Sequence, residues 1–379
     1  MTILKCYLDN ASTTPLSAEM KEYLISMLDI FGNPSSTHFE GVKANRLIEE
    51  VRERVVKFIN ADSSENIYFT SSGSASNTLG IQGYALANKC NMLYSPTVHK
   101  SIFKTIDNLV RFYKVTAYEL EVDNYGNINI DCIKQVLSRS NEKWLVIVEH
   151  ANSEIGTIQD IKTISDITHN YGGRLFVDCT GSISTLPLDV ISFNIDIATF
   201  SAHKIGALKG VGVLYKKNDI TMTPLVFGSQ EQGLFAGTEN VLGILSLGKA
   251  IDLMHYDKTS HNRDFIWNNI KNIDGVALVG SPLNSNRLIN NLYVCIKGIQ
   301  GSDVTALMDD LYKIQISTGS ACNNGSPTPS YTSLAIGLSE EDANSCVRIS
   351  FSGNETEDEL KEFCKSFSTC IKTLRDLND

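Results

Sequence analysis

The sequence contains no apolar stretch of about 18 residues or more, the length that a membrane-spanning helix needs. Its first residues, MTILKCYLDN, lack the apolar core of a secretory signal peptide. Nine cysteines are scattered along the chain, with neither a CxxC pair nor the Cys/His spacing of a zinc site. These absences disfavour a membrane protein, a disulfide framework and a metal site. They predict a soluble protein with a cytoplasmic location and no membrane partner.

Positive charge is also scarce, with 33 lysines and arginines against 43 aspartates and glutamates. A formal net charge of −10 argues against direct contact with a nucleic-acid backbone. Apolar residues make up 42% of the 379 residues, which is enough for the cores of one large and one smaller domain.

Short apolar segments alternate with segments of helical periodicity, a pattern typical of βαβ units and a parallel sheet. The predicted strands are 67–70, 145–148, 175–177 and 195–200, and the clearest amphipathic helix is 44–59. We expect an α/β fold whose large domain, residues 15–258, has a mainly parallel sheet flanked by helices. Residues 1–14 and 259–379 are expected to form a smaller α+β domain that carries a polar loop at 318–330.

Polar residues follow three of the predicted strands, at 150–154, 178–180 and 201–204. The carboxyl ends of adjacent parallel strands meet at one edge of a sheet, where α/β proteins bind ligands. Lys204 in such a place can form a Schiff base with an aldehyde cofactor, and an Asp178 carboxylate can keep a pyridine nitrogen protonated. Each residue alone has a simpler interpretation, as a surface lysine and as a helix or turn cap. The pair favours pyridoxal phosphate chemistry.

Two more segments contain residues that suit such a cofactor. The turn 70–77, which is rich in serine, precedes a predicted helix and could bind an anion with the help of Ser201 and His203. His99 could stack on a flat ring and move a proton near neutral pH. The alternatives are an ordinary serine cap and a capping histidine, and each is favoured when its segment is considered alone.

Cys322 lies in a loop of small and flexible residues, whereas the other cysteines lie in apolar or helical settings. This placement suits a thiol that must move towards a substrate, although most cysteines are structural. Arg348, in a predicted strand, could bind a carboxylate with both guanidinium nitrogens, or it could be an exposed strand arginine.

With these residues assembled, the chain resembles the class V aminotransferase group of fold-type-I pyridoxal-phosphate enzymes, and within it the cysteine desulfurases of the NifS/IscS kind. The resemblance extends over almost the whole chain. The motifs that carry it are YLDNASTTP at 7–15, FGNPSSTH at 31–38, FTSSGSASN at 69–77, HANSEIGTIQDI at 150–161, FVDCTGS at 176–182, FSAHKIG at 200–206, GLFAGTENV at 233–241 and STGSAC at 317–322.

The resemblance implies roles for individual residues. Lys204 would form the Schiff base with pyridoxal phosphate, Asp178 would face the ring nitrogen and His99 would stack on the ring. The phosphate would be held by Gly73, Ser74, Ser201 and His203, together with Thr238 from the second subunit of a homodimer.

The resemblance also implies a substrate and a reaction. L-Cysteine would be bound by Arg348, Asn33 and Asn152, and Cys322 would be the nucleophile. The implied reaction converts L-cysteine to L-alanine and leaves the sulfur as a persulfide on Cys322, from which an acceptor protein takes it.

Several residues depart from the family pattern. Ser153 and Gly181 replace an asparagine and a glutamine near the ring oxygen, Phe235 stands where an arginine is usual, and residues 206–208 change the loop after Lys204. We therefore expect slow or partner-dependent turnover. Two alternatives stay open: a weakened homologue that acts as a scaffold subunit, and another class V enzyme, such as a selenocysteine lyase or an aminotransferase.

Overall fold

The structure is a computed structural model that describes residues 5–139, 142–256, 260–319 and 328–378. Its strands are β1 (Cys6–Tyr7), β2 (Ile67–Thr70), β3 (Asn91–Tyr94), β4 (Ala117–Glu119), β5 (Trp144–Glu149), β6 (Arg174–Asp178), β7 (Ile197–Ser201), β8 (Gly212–Lys216), β9 (Val276–Leu278), β10 (Asn291–Ile296), β11 (Ile314–Gln315) and β12 (Cys346–Ser350). Its helices are α1 (Ala18–Ser26), α2 (Phe39–Phe58), α3 (Gly73–Thr78), α4 (Tyr84–Asn88), α5 (Lys100–Tyr113), α6 (Ile130–Leu137), α7 (Ile161–Asn170), α8 (Val241–Asp252), α9 (His261–Ile270), α10 (Gly301–Tyr312), α11 (Tyr331–Ala335), α12 (Glu340–Asn344) and α13 (Glu357–Asn378). Within the described ranges, none of these helices combines the length and apolar character that crossing a membrane requires.

Within the described residues, seven strands form the main sheet, in the order β2-β8-β7-β6-β5-β3-β4. Neighbouring strands from β4 to β7 run parallel, whereas β8 pairs antiparallel with both β7 and β2. Every residue of β5 and of β7 is buried, as in a sheet that is covered on both faces. The mainly parallel sheet confirms the predicted α/β fold class.

The two faces of the main sheet pack against different helices. Val146 and Val148 of β5 belong to a hydrophobic cluster that includes α2 and α8. Leu145 and Ile147 of the same strand belong to a second cluster, with α5 and the segment from α3 to α4. Successive residues of a strand point to opposite faces, so a fully apolar strand such as β5 serves both clusters.

A second, smaller sheet lies in the C-terminal part of the chain. It is antiparallel, in the order β12-β10-β9, and β1 pairs separately with β11. The residues packed around it come from α9, α10 and α13 and from the N-terminal segment that contains Cys6 and Leu8. This arrangement agrees with the expected smaller α+β part, and the boundaries at 14/15 and 258/259 stay a prediction.

Candidate active site

The carboxyl ends of β5, β6 and β7 lie side by side, as the sequence predicts. In the strand register Glu149 pairs with Asp178, and Asp178 pairs with Thr199. Beside these ends is a cavity of about 380 Å³. Its lining includes most of the predicted cofactor residues, namely Gly73, Ser74, His99, Asp178, Ser201, His203 and Lys204.

Asp178 is held by a hydrogen bond to each carboxylate oxygen. The Asn77 side-chain Nδ2 donates to Oδ2 over 2.9 Å, and the Thr180 backbone N–H donates to Oδ1 over 2.8 Å. Asn77 is itself fixed, because its Oδ1 accepts a 2.5 Å hydrogen bond from the Thr199 hydroxyl. Two N–H donors fix the orientation of the carboxylate, so Asp178 can face a ring nitrogen.

Lys204 ends a short 3₁₀ turn, Ala202–Lys204, that follows β7. Its Nζ donates hydrogen bonds to the backbone oxygens of Ala11, at 2.5 Å, and Ser12, at 2.9 Å. Burial, together with the positive charge of Arg348, lowers the pKa of Lys204 to about 8. A larger fraction of this amine is therefore neutral near pH 7 than of an ordinary lysine, which favours attack on an aldehyde.

Small side chains and hydrogen-bonding groups meet at the end of the cavity that α3 borders. A Cβ on Gly73 would lie 3.0 Å from Cβ of Ser201, a tight contact that glycine avoids. His203 Nδ1 lies 3.0 Å from the Thr13 hydroxyl oxygen, and burial lowers the pKa of His203 to about 4. The neutral imidazole keeps its second ring nitrogen for another partner, which suits a phosphate bound with Ser74 and Ser201.

An unpaired polar atom also indicates that the cavity accepts a polar ligand. Among the described residues, the Thr180 hydroxyl oxygen is buried without a hydrogen-bond partner, and Thr180 lines the cavity. Buried hydroxyls normally have a partner. A carboxylate, an amine and several phosphate donors around one cavity fit pyridoxal phosphate.

His99 precedes α5 and caps it. Its Nδ1 accepts a hydrogen bond from the Ser101 backbone N–H at 3.2 Å. Burial lowers the pKa of His99, and the negative charge of Asp178 opposes this shift. The ring is therefore mainly neutral near pH 7 and lines the same cavity as Lys204.

Arg348 lies on β12 and is only 4% exposed, so it is not an exposed strand arginine. Its Nη2 donates to Asp9 Oδ1 over 2.9 Å and to the Ser12 hydroxyl over 2.7 Å. Its Nη1 donates to the backbone oxygen of Ser153 over 3.3 Å. Arg348 and Lys204 therefore both contact Ser12, although Arg348 is not among the residues that line the cavity.

Glu154 binds the residues that flank the predicted cysteine loop. Its Oε1 accepts hydrogen bonds from the hydroxyls of Ser330, Ser333 and Tyr293. Gly319 approaches so closely that a Cβ there would lie 2.7 Å from Glu154 Cγ. Cys322 itself lies outside the described residues, so its role as the nucleophile stays a prediction.

Three of the predicted site residues do not line this cavity. Asn152 is buried, and its Nδ2 donates to Thr97 O and Glu149 Oε1, at 2.9 and 2.7 Å, while its Oδ1 accepts two backbone N–H groups. Asn33 is exposed, and its Oδ1 accepts from Ser35 N. Thr238 is exposed and lines a neighbouring cavity of about 260 Å³, as the partner-subunit role would require. The substrate and cofactor roles of these three residues stay predictions.

The sequence interpretation missed other residues that line or shape the cavity. Asn77, Thr199 and Glu149 are buried and contact predicted site residues. The sequence contained a signal that could have identified two of them. Thr199 lies two residues before Ser201 and Glu149 ends an apolar run, so both lie at or near strand ends. The Asn77 partners Asp178 and Thr199 lie 101 and 122 residues away from it in the sequence.

Comparison with known proteins is consistent with this geometry. The class-V aminotransferase family profile matches residues 6–363. "Cysteine desulfurase IscS 1" of Archaeoglobus fulgidus is 34% identical over 98% of this chain and 98% of its own length. This match confirms the predicted resemblance to cysteine desulfurases.

Solved structures show the same similarity. A NifS-like protein from Rickettsia africae ESF-5 superposes with a TM-score of 0.88 and is 29% identical, covering 97% of this chain and 99% of its own. The structure titled "SspA in complex with cysteine" has a TM-score of 0.79 and is 28% identical, covering 93% of this chain and 100% of its own. Class V aminotransferases are pyridoxal-phosphate enzymes, so the predicted cofactor is confirmed together with the fold. The chain belongs to the class-V aminotransferase family.

Proposed function

We propose that this protein is a pyridoxal-phosphate-dependent cysteine desulfurase that converts L-cysteine to L-alanine and transfers the sulfur through Cys322. The observation that carries the proposal is the meeting of Lys204, Asp178 and His99 with a set of phosphate donors in one cavity. The names of the relatives support this chemistry, and the SspA structure contains cysteine.

The residues of the cavity suggest how the cofactor is held. Lys204 binds its aldehyde carbon, Asp178 binds its ring nitrogen and His99 packs against its ring, as the resemblance implies. Ser74, Ser201 and His203 hold the phosphate. When bound, pyridoxal phosphate supplies an electron sink that makes the Cα proton of an amino acid acidic.

Lys204 and His99 are the proton carriers of the cavity. The pKa of Lys204 is lowered to about 8, which is close enough to neutrality for its amine to remove and return the proton at the substrate Cα. His99 is neutral near pH 7 and can accept a proton from the substrate thiol.

Arg348 is proposed to bind the substrate carboxylate, with Asn33 and Asn152 as further contacts. A planar guanidinium binds a carboxylate through two parallel N–H donors. In this structure Asp9 occupies one of these donors, so a substrate carboxylate must share or displace the Asp9 contact. The buried Nε of Arg348 lacks a partner among the described residues and is a further donor.

Cys322 is proposed to take the sulfur. Its thiolate attacks the substrate sulfur, and the carbon–sulfur bond breaks as the new sulfur–sulfur bond forms. The electron pair of the broken bond stays with the substrate Cβ, which takes up a proton to become the methyl group of alanine, and alanine leaves. The persulfide then passes to an acceptor protein. By anchoring Ser330 and contacting Gly319, Glu154 holds the two ends of the loop near the Ser153–Arg348 contact.

We also propose a homodimer, supported by an exposed apolar surface. Phe31 is 78% exposed, Phe39 is 75% exposed and Phe227 is 84% exposed. The segments that carry them are joined by a hydrogen bond from Gln230 to Ser35. Large exposed apolar groups mark interaction sites, and Thr238, the predicted partner-subunit contact, follows Phe227 along the chain.

A cytoplasmic location is part of the proposal. The eight cysteines among the described residues are free thiols, and several of them are buried with raised pKa values, such as Cys6 and Cys90 at about 12. Buried thiols with raised pKa values are poor nucleophiles near neutral pH.

The scaffold alternative is favoured by one observation. A Cβ on Gly181 would lie 2.4 Å from the Ala151 backbone oxygen, so the family's glutamine does not fit this backbone. Ser153 lines the cavity but carries a shorter side chain than asparagine. The cofactor ring oxygen thus has fewer side-chain partners, and each lost hydrogen bond costs about 0.5–1.5 kcal/mol.

An assay of alanine formation distinguishes the enzyme from a scaffold. The purified protein is incubated with L-cysteine beside its Lys204→Ala variant, and both are scanned for a Schiff-base absorption band. The desulfurase predicts a yellow protein that releases alanine, and a variant that lacks both the band and the activity. A yellow wild-type protein without alanine formation, even with candidate acceptor proteins added, would favour the scaffold.

A further inference from the structure

A second carboxyl group lies next to Asp178 and has no part in the chemistry described so far. Glu149 is the last residue of β5, and in the register of the parallel strands it is paired with Asp178 of β6. Glu149 is 6% exposed and Asp178 is 4% exposed. Both line the cofactor cavity, so two acidic groups occupy adjacent positions at the end that receives the ring nitrogen.

The two carboxyl groups have different surroundings. Asp178 accepts an N–H hydrogen bond at each oxygen, from Asn77 and from Thr180. Glu149 accepts a hydrogen bond of 2.7 Å from Asn152 Nδ2 and one from Thr97. Burial, opposed by these two hydrogen bonds, raises the pKa of Glu149 to about 8.

The charged groups that act most strongly on Glu149 are acidic, although Lys204 and Lys209 line the same cavity. The titratable groups that face it are Asp178 on β6, Glu154 on the segment after β5 and Tyr331 on α11. The first two carry or can carry negative charge, and each disfavours a charge on Glu149. A cation arriving in the cavity would reverse this balance.

We propose that Glu149 and Asp178 act as a pair at the ring-nitrogen end of the cavity: Asp178 carries the charge, Glu149 carries a proton, and this proton leaves to solvent when a protonated cofactor ring binds. Glu149 is thus a positioning residue. It becomes negatively charged only when the positively charged cofactor ring is bound. The inference rests on the proposed function, because it takes pyridoxal phosphate as the ligand.

Loss of a proton on binding makes cofactor affinity depend on pH. Above the pH at which Glu149 ionises in the cofactor-free protein, each unit of lowering of its pKa by the ring corresponds to tenfold tighter binding. Glu149→Gln removes this dependence, because glutamine is neutral at every pH. The variant keeps an oxygen for Asn152, so the fold should persist.

The test measures the dissociation constant of pyridoxal phosphate for the cofactor-free protein across pH, by the absorbance of the bound cofactor. Glu149→Gln is compared with the wild type, and Glu53→Gln, an exposed change on α2, is the matched control. The titrations of Lys204 and of the cofactor affect both proteins alike. They therefore cancel in the ratio of the variant's dissociation constant to that of the wild type. We expect a ratio near 1 at about pH 6 that rises to about tenfold at about pH 9 for Glu149→Gln, and a constant ratio for Glu53→Gln.

A Glu149→Gln ratio that does not change with pH would overturn the inference, and so would an equal rise in Glu53→Gln. Circular dichroism and the thermal midpoint of each variant establish that the variants are folded. Alanine formation is recorded separately. Cofactor binding with the expected ratio but no alanine would contradict the desulfurase function alone, whereas a wild-type protein that binds no cofactor would overturn both.

Discussion

Lys204 and Arg348 reach the same residue from different sheets of the protein. Lys204 Nζ donates to the Ser12 backbone oxygen over 2.9 Å, and Arg348 Nη2 donates to the Ser12 hydroxyl over 2.7 Å. The segment around Ser12 therefore links the lysine proposed to bind the cofactor with the arginine proposed to bind the substrate.

Ser12→Ala should weaken substrate binding without weakening cofactor binding. The change removes the hydroxyl that Arg348 contacts and keeps the backbone oxygen that Lys204 contacts. We expect KM for L-cysteine to rise about tenfold or more, because a hydrogen bond that involves a charged group is worth about 1.5–3 kcal/mol, while the dissociation constant of the cofactor stays constant. Steady-state alanine assays and absorbance titrations measure the two quantities, with the exposed Ser26→Ala as control. Weaker cofactor binding with an unchanged KM would refute the assignment.

Cofactor loading should depend on the ionisation of Lys204. Its pKa is lowered to about 8, and only the neutral amine attacks an aldehyde. The rate of Schiff-base formation by the cofactor-free protein should therefore rise with pH and level off above about pH 8. The negative charge of Asp9 raises the pKa of Lys204, so Asp9→Asn should move the midpoint to lower pH. Stopped-flow absorbance gives the midpoints, and a shift to higher pH in Asp9→Asn would contradict this electrostatic reasoning.

Asn77→Ala should destabilise the protein and loosen Asp178. The variant leaves one oxygen of a buried carboxylate without its donor, at a cost of about 1–3 kcal/mol. Urea unfolding of the cofactor-free protein measures the loss, with the exposed Asn269→Ala on α9 as control. We also expect weaker cofactor binding. Equal stability of the two variants would show that Asn77 does not hold the carboxylate.

Glu149 should make the free energy of unfolding decrease with pH. Its pKa is raised from 4.5 to about 8 in the folded protein, so its favourable contribution is complete below the unfolded value and is lost as pH rises towards 8. The stability of Glu149→Gln relative to wild type should therefore increase between about pH 5 and pH 8, by up to about 5 kcal/mol. Chemical unfolding at several pH values measures this difference. A constant difference would mean that Glu149 does not titrate on unfolding.

The sequence was sufficient to predict which strand ends form the site, because that prediction depends only on local patterns in the chain. Asp178, Ser201 and Lys204 each follow a short apolar run, and such runs form buried parallel strands whose ends converge. The serines predicted to bind the phosphate also lie at the ends of elements, Ser74 in the first turn of α3 and Ser201 at the end of β7.

The side-chain network was not predictable in this way. Asn77 binds Asp178 across a separation of 101 residues, and Arg348 binds Asp9 across 339. Glu149 was not identified as a site residue from the sequence, because its burial depends on packing by segments far along the chain. Asn152 lies in a motif that suggests substrate binding, and its amide donates to Thr97 and Glu149, so a contact with substrate requires an exchange of these hydrogen bonds.

The proposed sulfur transfer is tested most directly by the mass of the protein after reaction with L-cysteine. The cofactor-loaded wild type and its Cys322→Ala variant are each mixed with L-cysteine, alkylated and analysed as intact protein and as peptides. We predict one added sulfur atom on the peptide that contains Cys322, with alanine formed in equal amount, and no added sulfur in the variant. A persulfide on another cysteine, or alanine formation that persists in Cys322→Ala, would contradict the proposed role of Cys322.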